Sequence, residues 1–369
     1  MATEGVTDFQ VNVSYADQTI DLGGSARAAE TLFQLLYLVF TAPRVDSAAL
    51  RSWASLAKYE GGDFTIQDAF SQLLANGEPR LLPVSTDMAE LLTPQEAEAA
   101  FRDRFGNAAD FTFVIVGAIT PARARSLVQR YLASLPSTRE SVGAPKPLEV
   151  RPRSYRTENS DNVLPVPKAR TMIFFDGPFP STPSEYLTAW QRLQLLVTVL
   201  DIRIRNRLRM QLSADYSPWI DAKTYELPFV GQPSERFLVT GSFMSTPQRM
   251  RALWKGFEAL LDSARTTVVS QTELERAATI ARRQHETDLE GNEYWLDQII
   301  LFHRLGIPLA RIVHPEGDSQ VTPEQLKAAA EQYLRPNAYI HLTRMPEDTL
   351  WRARRSSGDS ASAGGHSPP

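Results

Sequence analysis

The chain has 369 residues with 39 Lys and Arg against 43 Asp and Glu, a formal net charge of −4, and is 43% hydrophobic and 22% charged. This is the balance of an ordinary globular chain, without the basic excess on which phosphate-neutralising nucleic-acid binders depend. Cysteine is absent, which removes disulfides, thiolate metal sites and cysteine nucleophiles. The first residues lack the basic and apolar regions of an export signal, and no run of about 18 apolar residues occurs, so neither a signal peptide nor a membrane span is expected.

In chain order, Phe9 to Tyr15 (FQVNVSY) and Thr19 to Leu22 read as two short strands around a polar turn at Ala16 and Asp17. Next, Leu32, Phe33, Leu35, Leu36, Val39 and Phe40 are apolar on nearly every side of a helix, a pattern that suits burial between two layers. After the break at Ala42-Pro43-Arg44 the spacing predicts a helix over Ser47 to Lys58, then a short one around Ile66 to Leu74. In LLTPQEAEAAFRDRF, Thr93 is a natural N-cap, Pro94 sits at the first helical position and Glu96 closes a capping box. FTFVIVG (Phe111 to Gly117) is predicted as a strand, and Thr120-Pro121 opens a helix with Leu127, Val128, Tyr131, Leu132 and Leu135 inward.

Residues 139 to 160 lose the apolar period and carry Pro145, Pro147 and Pro152, the composition of a linker. Beyond it the pattern predicts a strand at Thr171 to Phe175 and a long helix from about Ser184 to Leu212. Strands follow around Tyr216 to Tyr225 and Arg236 to Phe243, then three more helical stretches. The serine- and glycine-rich end (SSGDSASAGGHSPP) is too poor in apolar residues to repay ordering. The organisation expected is a domain over 1–138, a linker over 139–160, a domain over 161–349 and a disordered tail over 350–369.

The two domains read as copies of one unit. LFQLLYLVFTAPRVDSAAL from Leu32 shares its layout with LWKGFEALLDSARTTVVSQTEL from Leu253, each an apolar helix, an Arg twelve residues on (Arg44, Arg265) and a second helix, at an offset of 221. TPQEAEAAFRDRF from Thr93 matches TPEQLKAAAEQYL from Thr322 at an offset of 229, and each precedes a predicted strand, Phe111 to Val116 or Tyr339 to Thr343. Only the second copy has a strand and a long helix ahead of its strand pair. The first is therefore expected to be incomplete and uncomfortable alone, because burying each large apolar side chain contributes about 1.5 to 3 kcal/mol to a total of about 5 to 15.

ETLFQLLYLVFTAPR, FTFVIVGAITPARARSLVQRYLASLPS, LRMQLSADYSP and EGNEYWLDQI together resemble the C-terminal half of the insulinase/pitrilysin-type zinc metallopeptidases, in the bacterial processing-protease-like branch. The resemblance implies an α+β fold of two homologous metallopeptidase-like (LuxS/processing-peptidase-type) domains, each a mainly antiparallel sheet packed on helices. In that family two halves close around a peptide chamber, and an inverted H-x-x-E-H motif in the N-terminal half holds zinc. The family association also implies a periplasmic location, against a cytoplasmic one if the chain is taken as written.

The zinc motif has no counterpart here. The histidines are His285, His303, His314, His341 and His366, no two of them four apart. His285-Glu286 has Leu289 where H-E-x-x-H would need its second His, and its polar neighbours make it a solvated helix residue. His303, among Leu301, Phe302 and Leu305, reads as a structural His, and no G-x-S-x-G element accompanies His314 or His341. Asn292, Tyr294 and Trp295 match another block of the branch and are read as core.

Arg203, Arg205, Arg207 and Arg209 alternate near the end of the long helix, where cations favour the helix dipole. Arg203 and Arg205 are expected on a solvated face. The spacing of Arg209 and Tyr216 matches, by the resemblance, the paired Arg and Tyr that help hold a peptide backbone near the scissile bond. Met210 and Ser213 depart from that motif, which commonly has Glu and Gly there. The expectation is a non-catalytic half of a zinc endopeptidase, inactive alone and without a cofactor of its own. It would contact a peptide substrate through Arg209 and Tyr216, and zinc would be held only in a partner catalytic half, on a separate or missing polypeptide. The alternatives are an inactive scaffold of the same fold and a truncated gene product.

Overall fold

A computed structural model describes residues 5–13, 18–61, 78, 91–138, 147–148, 156–159, 168–211, 218–227, 230, 234–314 and 320–344. In chain order the elements are β1 (Val6–Val13), β2 (Gln18–Gly24), α1 (Ala29–Thr41), α2 (Ser47–Gly61), α3 (Pro94–Phe105), α4 (Pro121–Leu127), β3 (Arg156–Asn159), β4 (Ala169–Pro178) and α5 (Pro183–Ile204). They continue as β5 (Trp219–Glu226), β6 (Glu235–Ser245), α6 (Pro247–Thr266), α7 (Gln271–Asp288), α8 (Asn292–Leu305), α9 (Pro323–Tyr333) and β7 (Ile340–Arg344). Among the described residues no helix is long and apolar enough to cross a membrane. The expected short helix around Ile66 to Leu74, most of the linker and the tail lie outside the described residues.

The chain forms two compact units that interleave along the sequence. The first comprises Met1–Gly62, Pro83–Pro147 and Thr287–Val313; the second comprises Asp63–Leu82, Leu148–Glu286 and His314–Pro369. Helix α8 thus belongs to the first unit, although it lies between two helices of the second in sequence.

Matching starts support the repeat. Thr93 Oγ1 accepts from Glu96 N at 3.2 Å while Glu96 Oε2 accepts from Thr93 N at 2.9 Å. At α9, Thr322 and Gln325 form the same reciprocal box, and each helix has Pro at its first position. These bonds satisfy amides that a helix start otherwise leaves orphaned.

In the second unit five strands run in the order β3-β7-β4-β6-β5, antiparallel except for the β3–β7 pair. The central β4 pairs on both edges, and it is longer than expected because its register with β6 continues from Ala169–Ser245 to Pro178–Arg236. Met172, Phe174, Leu238 and Leu342 form a buried cluster that Trp219, Tyr225 and Ile340 extend. Helix α5 packs on β5, α6 and α9, and its buried residues, Leu193, Leu195, Leu196, Val197 and Leu200 among them, point in nearly all directions. Gly241 of β6 allows α6 to approach, since a Cβ there would stand 2.6 Å from the Phe257 ring.

The first unit is thinner. Its sheet is the β1–β2 hairpin, and its core gathers Phe40, Ala108 and Leu135 with Ile20, Leu36, Tyr37, Phe111, Phe113 and Leu132. Two expectations need correction here. Phe111 to Gly117 is not a strand: among the described residues no strand pairs with it, and a strand exists only through its ladder. Helix α1 is less fully covered among the described residues than expected: Phe33 and Phe40 are buried and Leu32, Leu35, Leu36 and Val39 half-buried, but Leu38 is 51% exposed. Its apolar pattern matches that of α5, but among the described residues one side lacks the packing layer that α5 has.

Candidate functional site

The candidate site sits where α5 ends. After Ile204 the backbone widens into a π-helical stretch over Arg205–Gln211, a rare geometry that often marks functional positions. Leu208 is fully buried and anchors this stretch, while Arg205, Arg207 and Arg209 are exposed around it. Arg209 therefore projects from a helix C-terminus, where the dipole favours a cation. Tyr216 lies outside the described residues.

The other arginines of this face have defined work. Arg203 is not solvated as expected: its guanidinium donates twice to Glu273 on α7, Nε to Oε1 at 2.9 Å and Nη2 to Oε2 at 3.0 Å. That bond, helped by donors from Ser270, holds the Glu273 carboxyl down to about 2 despite some desolvation. Arg205 Nε donates to Asp201 Oδ2 at 2.7 Å, one helical turn back. Asp201 Oδ1 also accepts from Ile220 N at 3.4 Å, which fixes the end of α5 to the start of β5. Burial, with the charge of Asp201 adding to it, raises the Asp221 carboxyl, and Lys223 opposes the shift.

A guanidinium offers donors and no acceptor, so Arg209 suits the binding of carbonyl or carboxylate oxygens rather than proton transfer. Among the described residues no group of three His, Cys, Asp or Glu is placed to hold a metal ion. The histidines are dispersed: His285 is half-buried, His314 exposed and His341 buried. His303, expected as a structural core residue, is exposed instead, because the neighbouring Phe302 takes the inward position on α8. It borders a groove of about 580 Å³ lined also by Phe113, Ile115, Phe302, Gly306 and Leu309 in the first unit. Trp295 Nε1 donates to Leu289 O at 2.8 Å, and Tyr294 is half-buried, its hydroxyl pushed up to about 12 by desolvation with Asp288 adding.

Sequence reasoning missed two buried polar centres. His341 on β7 stacks on Trp254 of α6 with ring centroids 3.6 Å apart and planes 9° from parallel. Its Nε2 lies 3.2 Å from Thr343 Oγ1, and desolvation takes its pKa down to about 4. On β4, Asp176 accepts from Tyr225 and from both Nε and Nη2 of Arg236, whose side chain is almost wholly buried. Nothing in the local pattern of Asp176 or Arg236 distinguishes them from exposed charges; only the β4–β6 register, which pairs Asp176 with Leu238 and Pro178 with Arg236, brings them together.

Comparison with known proteins now decides the family. The profile described as "Peptidase M16 inactive domain" matches residues 92–280, just over half of the chain. The chain belongs to the peptidase M16 family through this inactive domain. The M16 peptidases are the insulinase/pitrilysin type that the sequence resembles. Comparison with curated protein sequences gives no match. Among solved structures, the chain resembles the periplasmic protease PqqL from Escherichia coli with 19% identity and a TM-score of 0.70, over 94% of this chain and 38% of PqqL. It also resembles a putative M16-like peptidase from Alicyclobacillus acidocaldarius, with 15% identity and a TM-score of 0.72 over 94% of this chain and 81% of that one. An M16 inactive domain from Pseudomonas fluorescens gives 15% identity and a TM-score of 0.69, over 92% and 81% of the two chains. These likenesses are likenesses of fold. The chain spans less than two-fifths of the length of PqqL.

Proposed function

We propose that this chain acts as the substrate-holding, non-catalytic half of a zinc metalloendopeptidase. The observation that carries the reading is the match of residues 92–280 to an inactive M16 domain, an interval that includes the exposed Arg209. Its surface would form part of the wall of a peptide chamber, and Arg209 and Tyr216 would donate hydrogen bonds to backbone carbonyls of a peptide. The catalytic partner is an M16 half bearing H-x-x-E-H, whose zinc supplies an activated water. This chain holds and orients; it moves no proton. The periplasmic neighbour supports placing that work in the periplasm.

The test has two stages. The purified chain should retain no stoichiometric zinc after gel filtration and cleave no fluorogenic peptide; one tightly held zinc per chain, or chelator-sensitive cleavage, overturns the proposal. Reconstituted with a catalytic half, Arg209→Ala should lower kcat/KM about ten- to a hundredfold, the effect of losing a charged hydrogen bond of about 1.5 to 3 kcal/mol, and Tyr216→Phe about two- to tenfold for a neutral one of about 0.5 to 1.5 kcal/mol. Arg205→Ala, whose partner Asp201 is on its own helix, should leave turnover unchanged. Wild-type rates in both test variants would leave the chain as a scaffold.

A further inference from the structure

Three side chains of α5 reach the strand that follows the candidate site, and their contacts are nested. Tyr186 Oη lies 2.7 Å from Thr224 Oγ1, 38 residues on. Gln194 Nε2 donates to Ala222 O at 3.3 Å, 28 residues on, and Asp201 Oδ1 accepts from Ile220 N at 3.4 Å, 19 residues on. Towards the end of α5 the partners step back along β5, from Thr224 to Ala222 to Ile220. On the helix the three side chains lie about two turns apart, hence on one face. Strand β5 is therefore held twice, by its ladder with β6 from Trp219 to Glu226 and by side chains of α5.

The innermost contact closes a ring of chain. Arg209 and Tyr216 both fall between Asp201 and Ile220 in sequence, so the Asp201 bond joins the two ends of the interval that carries them. A chain fixed at both ends samples fewer arrangements than one fixed at a single end. Two donors that must meet one peptide backbone together need such a fixed separation, since misplacing a holding group by about 1 Å can cost about a hundredfold. Arg205 binds the other carboxylate oxygen of Asp201 from within the same helical run. That pair spans no join between α5 and β5.

We propose that Asp201, backed by Gln194, is the positioning residue of this site: it sets the separation of Arg209 and Tyr216 without touching the peptide. The proposal rests on the peptide-holding reading above and deepens it. With the Asp201–Ile220 bond in place, the arrangement that receives a peptide is populated before the peptide arrives. Without the bond only a fraction of molecules is ready, and apparent affinity falls by that fraction. Once bound, the peptide itself holds the pair, so the loss belongs in KM while kcat changes little. Global loosening acts the other way, removing active molecules and lowering kcat at constant KM.

Trypsin and turnover together test this on the full chain, since the exposed Arg207 and Arg209 are cleavage points inside the ring. In Asp201→Ala, early cleavage after these two residues should be about tenfold faster. Gln194→Glu sets an acceptor against the Ala222 carbonyl at unchanged size and should speed it about threefold. Asp201→Asn keeps an oxygen for the Ile220 N–H but has none for Arg205, and should be cut at the wild-type rate. Reconstituted with a catalytic half, Asp201→Ala should raise KM about tenfold at nearly unchanged kcat, and Asp201→Asn should restore the wild-type KM. A wild-type KM in Asp201→Ala, with Arg209→Ala still impaired, overturns the positioning role and leaves the holding role standing. So does a defect confined to kcat, or an Asp201→Asn variant as impaired as Asp201→Ala, which would assign the effect to the Arg205 pair. Wild-type turnover in Arg209→Ala would overturn both roles and leave the Asp201 bond a structural one.

Discussion

The two units begin from the same plan and differ in how well they close it. In the second, β4 is hydrogen-bonded on both edges and α5 is buried on nearly every side. In the first, among the described residues, a hairpin and an extended segment that no strand pairs with stand in for a sheet, and α1, also rich in apolar residues, is partly exposed. Apolar composition therefore fixes which surfaces need covering, while pairing partners decide whether they are covered. A helix that is hydrophobic all round is a statement about its neighbours as much as about itself.

The sharpest way to break the comparison is at the buried charges of the second unit. Arg236→Ala leaves Asp176 and its hydroxyl donor Tyr225 without their cation in the interior, and should cost about 3 to 5 kcal/mol in urea unfolding. An apolar triple replacement (Asp176→Leu, Tyr225→Phe, Arg236→Met) should recover most of that loss. If Arg236→Ala unfolds at the wild-type midpoint, the site is hydrated in solution and the second unit is looser than described.

His341 gives the next effect. Its unfolded-state pKa is near the usual 6.5 and its folded value about 4, because the charged ring would lose hydration. As pH falls from about 6.5 towards 4 the unfolded state takes up the proton first. Stability should therefore decline across that window by about 3 kcal/mol and level off below it. His341→Phe keeps a ring on Trp254 and should flatten this part of the stability–pH curve. An unchanged acid slope in His341→Phe would assign the slope to other groups.

The pair Arg203–Glu273 comes third. Arg203 is 19% exposed and Glu273 42% exposed in their side chains, so solvent screens the pair and Arg203→Ala should cost about 1 kcal/mol, less in high salt. The depressed Glu273 carboxyl stabilises above its ordinary 4.5, and that contribution fades as pH falls towards about 2. Arg203→Ala should shrink this acid-side loss, and calorimetry below pH 4.5 would show it; an unaltered acid limb would mean the pair does not form in solution.

How much of this was legible depended on range along the chain. Capping boxes at Thr93 and Thr322 follow from three adjacent positions and were readable. So were β6 and α5, because periodicity is local. The strand expected at Phe111 to Gly117 failed because pattern reports the capacity to pair and not the presence of a partner. Arg203 looked solvated because Glu273, 70 residues on, is invisible from its own helix. For the site, the sequence placed Arg209 on an exposed helix end, but burial of His341 and Asp176 depends on sheet register, which no single segment encodes.

The smallest expected effect is the most discriminating between the two units. Leu38 of α1 and Leu196 of α5 are both leucines on helices whose sequences are apolar on nearly every side. Leu196 is 1% exposed and Leu38 51%. Leu38→Lys should shift the stability of residues 1–369 by less than about 0.5 kcal/mol, since a half-exposed side chain gives up little burial and the lysine stem can lie along the same surface. Leu196→Lys buries an unpaired charge and should unfold the second unit outright. Paired urea titrations compare the two directly. A cost of several kcal/mol for Leu38→Lys would mean that α1 is covered in solution.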